Sequence, residues 1–387
     1  MLTKELLGDF SKFEKKIFAL NDFLYKNPEL GYEEVKSHKE ITKLISNNIS
    51  SAKIKKVSEM PTAFTGLINK KGGNQKTISI CIEYDALPGI GQACGHNIIS
   101  SMGIGAFYLL SKKIDKLSDA IQIVGCPAEE ILPLSFPNGG GGGKIKLLEK
   151  EVFKDNKAVL MIHPATRNEV DPLMVAVKQI DVEFIGKAAH ASGSPYIGKN
   201  ALDAQVLAYN SISALRQQLL PTEKVHGIIT NGGESANIIP DYTRSSWMMR
   251  AQKTSGLKVL EKKILNCFRS AASATGCKVN FIEGNGTYEN LVTDGKLAEI
   301  FMDYSKELGI DMKTNKHFDQ SKNGSTDFGN ISKKFPSLHA FLAIVPDDGS
   351  VVNHQPEFAH ATITNEAKIA IRNGSVLLAS TILKLQD

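Results

Sequence analysis

Apolar and polar positions sort this chain into alternating elements. Near the start, Phe10, Phe13, Ile17, Leu20 and Phe23 recur at helical spacing, so residues 1–47 read as helix, broken and restarted at NPELGYEE. Short apolar runs then alternate with helical stretches. TAFTGLIN and KTISICIE predict strands, NIISSMGIGAFYLL a buried helix, AIQIVG a strand, GKIKLLEK a helix and KAVLMI a strand. Strands alternating with helices predict an α/β sheet covered on both faces, and such sheets collect ligands beyond their strand ends.

From about residue 175 the pattern changes. MVAVKQIDVEFIG reads as strand, ALDAQVLAYNSISALRQQL as amphipathic helix, VHGIITN and TRSSWMMRA as strands, SGLKVLEKKILNCFRSAAS as helix and KVNFIE as strand. That βαββαβ order is the ferredoxin-like split unit. The remainder returns to helix, strand, helix. The expected fold is an α/β catalytic domain with a mixed sheet, in two parts (1–175 and 289–387), interrupted over 176–288 by an inserted ferredoxin-like lid or dimerisation domain.

Composition narrows the function by exclusion. The 387 residues carry a net charge of only +5, with lysines scattered and no basic block interleaved with aromatics, so a nucleic-acid partner is not expected. Five cysteines without CxxC spacing make no disulfide framework and favour a reducing compartment. The start, MLTKELLGDFSKFEKK, is charged too early for a secretory signal, and no apolar run approaches the ~18 residues of a membrane span. A cytoplasmic protein with no membrane partner is expected.

Two segments invite chemistry. NGGGGGKIK suggests a phosphate loop, but that signature needs glycine at position 138 and a hydroxyl after the lysine, where this chain has Asn138 and Ile145. The run is expected to give flexible entry into a helix near the active site. GQACGHNIIS places Cys94 two residues before His96, either as a small residue in a tight loop or as a metal ligand. CPAEE adds Glu129 and Glu130 after one predicted strand, MIHPA adds His163 after the next, and VNHQPEF adds His354. Each alone is an ordinary surface or packing residue; together they fall where strand ends converge. Thiolate, imidazole and carboxylate are the donors zinc and similar ions prefer. These candidates exceed the needs of one tetrahedral ion and suit two if a thiolate bridges. The spare glutamate then has a task, because a metal-activated water needs a base for its proton.

EYDALPGIGQACGHN, PAEE, IHPA, GKAAHAS, NIIPD and STDFGN together resemble zinc metallopeptidase family twenty, the family of carboxypeptidase G and the aminoacylases. The CGHN form is most similar to its p-aminobenzoyl-glutamate hydrolase and β-alanyl-lysine dipeptidase-like branch, and the likeness runs from NPELGYEE to NHQPEF. The resemblance implies two divalent ions, Zn or Mn, held by Cys94, His96, Glu130, His163 and His354, with Cys94 bridging. It implies Glu129 as general acid/base and Asp85 as the carboxylate orienting a ligand, whereas Asn97 departs from the commoner aspartate. It also implies His190 as an oxyanion donor reaching a partner subunit's site, Asn237 and Arg250 as substrate-binding residues, and a homodimer formed through the lid. Cys81, Cys126, Cys267 and Cys277 read as packing residues, and His38, His226, His317, His339 and His360 as surface or core histidines.

The expected function is hydrolysis of an amide bond in a dipeptide or N-acyl amino acid. The alternatives are a p-aminobenzoyl-glutamate-like conjugate hydrolase, a general N-deacylase and a catalytically silent binding protein on the same fold. Retention of Glu129 beside every ligand position argues against the silent protein.

Overall fold

The computed structural model describes residues 2–69, 76–136, 138–319 and 323–386. Its first helices, α1 (Leu2–Ser11) and α2 (Glu14–Lys26), divide what reads as one apolar stripe, and α3 (Val35–Asn48) follows the NPELGYEE break. The division at Lys12–Phe13 left no mark in the pattern, because Phe10 and Phe13 both remain in the core. Next come β1 (Lys53–Val57), β2 (Met60–Ile68), β3 (Thr77–Glu83), α4 (His96–Ser111), β4 (Ala120–Cys126), α5 (Gly143–Glu149) and β5 (Asn156–Ala165).

The inserted unit holds β6 (Ala176–Ile185), α6 (Ala201–Leu215), β7 (Lys224–Asn231), β8 (Tyr242–Ala251), α7 (Thr254–Thr275) and β9 (Lys278–Glu283). The chain closes with α8 (Gly295–Glu307), α9 (Phe328–Ser332), β10 (Ser337–Ala343), α10 (Pro356–Ala361) and α11 (Asn365–Lys384).

The larger sheet has the order β1-β2-β4-β3-β5-β10. Its β1-β2 and β2-β4 pairs are antiparallel, while β4-β3, β3-β5 and β5-β10 are parallel. Strand β3 shows why both faces are covered. Ile78, Ile80 and Ile82 join the core formed with α1, α2, α4 and α11, while Cys81 joins Val124, Cys126, Val159 and Met161 in a second core on the other face. Burial on both faces is the usual state of parallel strands. Helix α4 is buried from His96 to Leu110, so it lies inside the molecule and starts directly at the strand ends.

The smaller sheet has the order β7-β8-β6-β9, all antiparallel, the arrangement of a ferredoxin-like unit. Helices α6 and α7 cover one face through Ala204, Ala208, Ile212, Leu260, Ile264 and Phe268 around Trp247. Along β8 buried and half-buried residues alternate strictly, the period-2 mark of a one-sided sheet. Cys267 and Cys277 pack against this core. Among the described residues no helix is long and apolar enough to cross a membrane.

Candidate metal centre

Three parallel strands deliver the chemistry. Asp85 follows β3, Glu129 and Glu130 follow β4, and His163 lies near the end of β5, which runs on to Ala165 instead of ending before it. Cys94 and His96 flank Gly95 at the start of α4. Gly95 has φ +86°, and a Cβ there would stand 2.5 Å from Pro164 Cγ, so only glycine lets thiol and imidazole turn to the same side against β5. His354 comes from the loop between β10 and α10 and itself has φ +70°; its N–H donates to Ala93 O at 2.9 Å. A histidine held in the left-handed region is strained backbone, of the kind that gathers at functional sites.

The side chains form two triads that share Cys94. In Cys94–His96–His163 and in Cys94–Glu130–His354 the donor atoms lie within 4.8 Å of one another. Cys94 Sγ is 3.4 Å from His163 Nε2, and His354 Nε2 is 3.2 Å from Glu130 Oε1. His96 is fully buried, Cys94 and His163 are half-buried, and His354 is exposed at the mouth. Asp85 spans two of these groups. Its Oδ1 accepts from His96 Nδ1 at 2.9 Å and its Oδ2 accepts from the Glu130 N–H at 2.9 Å. With Nδ1 donating, Nε2 presents its lone pair to the cluster and has no hydrogen-bond partner among the described residues. A buried lone pair beside carboxylates and a thiol fits a divalent cation. Asn97, by contrast, points away and donates to Thr362 Oγ1 at 3.0 Å.

Glu129 is held through its backbone. Its carbonyl accepts from Tyr288 O–H at 2.6 Å, and the Tyr288 oxygen accepts from Gly142 N–H at 2.6 Å. Ala128, at φ +51°, donates its N–H to buried Glu34 at 2.8 Å. The glycine run is therefore a close-packed wrap, not a flexible entry. A Cβ on Gly143 would lie 1.7 Å from Pro127 O, so a larger residue would push against the Glu129 turn.

Electrostatics separates the neighbouring glutamates. Burial, reinforced by the charges of Glu83 and Glu130, pushes Glu129 well above the ordinary carboxylate range. Burial acts on Glu130 too, but contact with His354 and the nearby His96 outweigh it and hold that carboxyl low. Burial raises the Cys94 thiol.

These groups form one wall of a cavity of about 440 Å³. Arg250, at the end of β8, lies in its lining with Met248, and its Nη1 donates to Ser325 Oγ at 2.8 Å. His190 and Asn237 are not brought to it. Both are exposed on the lid side by side, with Ala191 N–H donating to Asn237 O at 3.0 Å and Gly193 N–H to His190 Nδ1 at 3.0 Å.

Several buried groups at and behind the wall carry little sequence signal of their own. His339, on β10, is fully buried next to the His163 ring, with neither nitrogen partnered among the described residues, and burial lowers it to about 3. Tyr288, Glu34, Glu83, Lys144 and Asp327 are buried as well. Only the short motifs around Glu83 and Asp327 could have drawn notice, and nothing in them marks a buried charge.

Residues 176–275 match the peptidase dimerisation domain of the M20 family. Over 379 residues the chain is 35% identical to the Xaa-Arg dipeptidase of Mus musculus, covering 95% of this chain and 85% of that one. It is 27% identical over 275 residues to a chain of the p-aminobenzoyl-glutamate hydrolase of Escherichia coli, covering 66% of this chain and 54% of that one. Among solved structures, a dinuclear metal binding peptidase of the M20 family from Bacillus subtilis superposes with TM-score 0.71 at 20% identity, over 97% of this chain and 99% of that one. With this fold, and an inserted unit where the family carries its dimerisation domain, the chain belongs to the M20 family of peptidases, metal-dependent hydrolases of amide bonds.

Proposed function

We propose that the chain is a two-metal dipeptidase that cleaves the amide bond before a C-terminal amino acid with a free α-carboxylate. The observation that carries this is the pair of donor triads sharing Cys94, facing an arginine across one cavity. His96 and His163 would hold one divalent ion and Glu130 and His354 the other, with the Cys94 sulfur common to both. Bound there, divalent ions supply Lewis acidity for the carbonyl and for water. The chain's own residues do the rest. Glu129 takes a proton from the attacking water and returns it to the departing amine. Asp85 fixes the His96 tautomer and the Glu130 backbone together. Arg250 receives the substrate carboxylate as a fork, in place of its Ser325 contact.

Residues 1–175 and 289–387 would form the catalytic domain and 176–288 the lid, through which two copies pair. Exposed Ile228 and Ile229 on the edge strand β7, with Val206 and Leu207 on α6, support that seam. Pairing would bring His190 and Asn237 of one copy to the cavity of the other, with His190 polarising the scissile carbonyl.

A dipeptide ending in arginine is the first substrate to test, because the relative of that name matches at 35% across 95% of this chain. The E. coli conjugate hydrolase, at 27% over 66%, supports a p-aminobenzoyl-glutamate substrate less well. A metal-supplemented panel of Xaa-Arg, Xaa-Lys, p-aminobenzoyl-Glu and C-terminally amidated dipeptides, read by amine release, separates them. Free-acid dipeptides should be cleaved well and amidated ones poorly. Arg250→Met should lower kcat/KM on free acids by about 10²-fold, as expected for loss of a buried charge-assisted pair, and leave amidated substrates little changed. Equal rates on free and amidated substrates would instead describe a general deacylase.

A further inference from the structure

Behind the donor triads the chain buries a second charged layer. Glu83 ends β3, Lys144 opens α5, Asp327 precedes α9, and all three are fully buried. Lys144 Nζ lies 2.5 Å from Glu83 Oε1 and 2.5 Å from Asp327 Oδ1, and Lys144 N–H donates to Asp327 Oδ2 at 2.8 Å. The other Glu83 oxygen turns the opposite way, with Oε2 3.4 Å from His96 Nε2.

That contact calls for a cation, either a proton on Nε2 or a metal ion in its place. With Nδ1 donating to Asp85, the neutral ring offers a lone pair at Nε2, which does not bond to a carboxylate unless a cation stands between them. Among the described residues neither Nε2 nor Glu83 Oε2 has a hydrogen-bond partner, and Glu129 Oε2 stands 3.9 Å from the same nitrogen. The neutral ring's Nε2 and the Glu83 carboxylate, facing each other in a dry site, repel unless a cation joins them. A spacing of 3.4 Å also equals the edge of a tetrahedral donor shell of radius about 2.1 Å, the usual zinc–nitrogen and zinc–oxygen length.

We propose that Glu83 is a further metal-binding carboxylate, joining His96 in holding the more deeply buried ion while Lys144 neutralises its other oxygen. The inference rests on the metal-site reading above. It separates Glu83 from Asp327, which shares Lys144 but makes no contact with His96 among the ion pairs of the described residues.

The test compares metal-free wild-type protein with Glu83→Gln and Asp327→Asn, each titrated with Zn²⁺ against a chromophoric competing chelator, with thermal unfolding read in parallel. In Glu83→Gln one of two zinc affinities should fall by about 10- to 100-fold, the scale of losing a tuning carboxylate, and the other should hold. Asp327→Asn should lower the melting temperature and leave both affinities close to wild type. Equal zinc binding by wild type and Glu83→Gln, with only stability lost, would make Glu83 a structural counter-ion and overturn the inference. If Glu83→Gln does not fold, Glu83→Asp keeps the charge near Lys144 but withdraws the oxygen from Nε2, and unchanged affinity there overturns it equally. Wild-type protein that binds no zinc would overturn the metal-site reading itself, which is a distinguishable result.

Discussion

Glu129 and Glu130 are neighbours in the chain with opposite electrostatic fates, and the fate of each fits its proposed task. A carboxyl pushed up by burial and like charge suits proton transfer, and one held down by imidazoles suits ligation. Glu129→Gln should therefore keep bound metal and lose kcat by ~10²-fold or more, while Glu130→Gln should lose metal as well. Metal analysis beside turnover distinguishes the two, and near-normal turnover in Glu129→Gln would remove it from the role of base. Glu34 gives a second residue-level test. Burial and the Asp85 charge raise it from 4.5 to about 8. The native chain thus keeps a proton that the unfolded chain releases near 4.5. Its stabilising effect is complete below that pH and is lost as pH rises towards 8, at roughly 1.4 kcal/mol per pH unit. Glu34→Gln retains an oxygen for the Ala128 N–H, so urea unfolding of the metal-free variant should show a flatter pH dependence. Identical slopes in variant and wild type would contradict this. At this scale the sequence disclosed the groups that sit in short motifs of unusual residue types, such as CGH and AEE. Glu83 and Lys144 lie in stretches that stand out for other residues, His339 in an ordinary strand, and only burial makes the three chemically significant.

Elements were legible where apolar periodicity was clean, as in β3, β5, α4 and the whole βαββαβ insertion. Strand β1, KIKKV, was missed because three of its five residues are lysines, and only Ile54 and Val57 pack against the cores while the strand pairs with β2. The glycine run was misread for a related reason. Composition suggests mobility, whereas the contacts of Gly143 and Gly142 show a backbone wedged against Pro127 and Tyr288. Gly143→Ala should cost about 2 kcal/mol or more in urea unfolding and lower kcat by disturbing the Glu129 turn. Gly8→Ala is the control. It lies exposed in α1 with nothing near its Cβ, so it should raise stability by about 0.5–1 kcal/mol and leave kcat alone. If the two substitutions behaved alike, the wrap would have no part in placing Glu129.

For the whole molecule, a single chain assembles the donor triads and Arg250 but leaves His190 and Asn237 on the lid surface. Sequence motifs could name those two residues; the proposal that a second copy delivers them to the cavity is open to direct test. His190→Ala and Glu129→Gln proteins, each nearly inactive, should regain activity when their subunits exchange, because one of the two mixed sites then has both groups intact. Demonstrated exchange without recovery would confine His190 to its own chain. Metal dependence itself is tested most directly by titrating metal-free protein with Zn²⁺ or Mn²⁺ while counting bound ions and following arginine release from an Xaa-Arg dipeptide. No turnover is predicted without metal, then a rise to a plateau as the second equivalent binds, with Glu129→Gln taking up the same metal in silence. Undiminished cleavage by the metal-free protein, or full activity at one equivalent, would contradict a two-metal site built on Cys94.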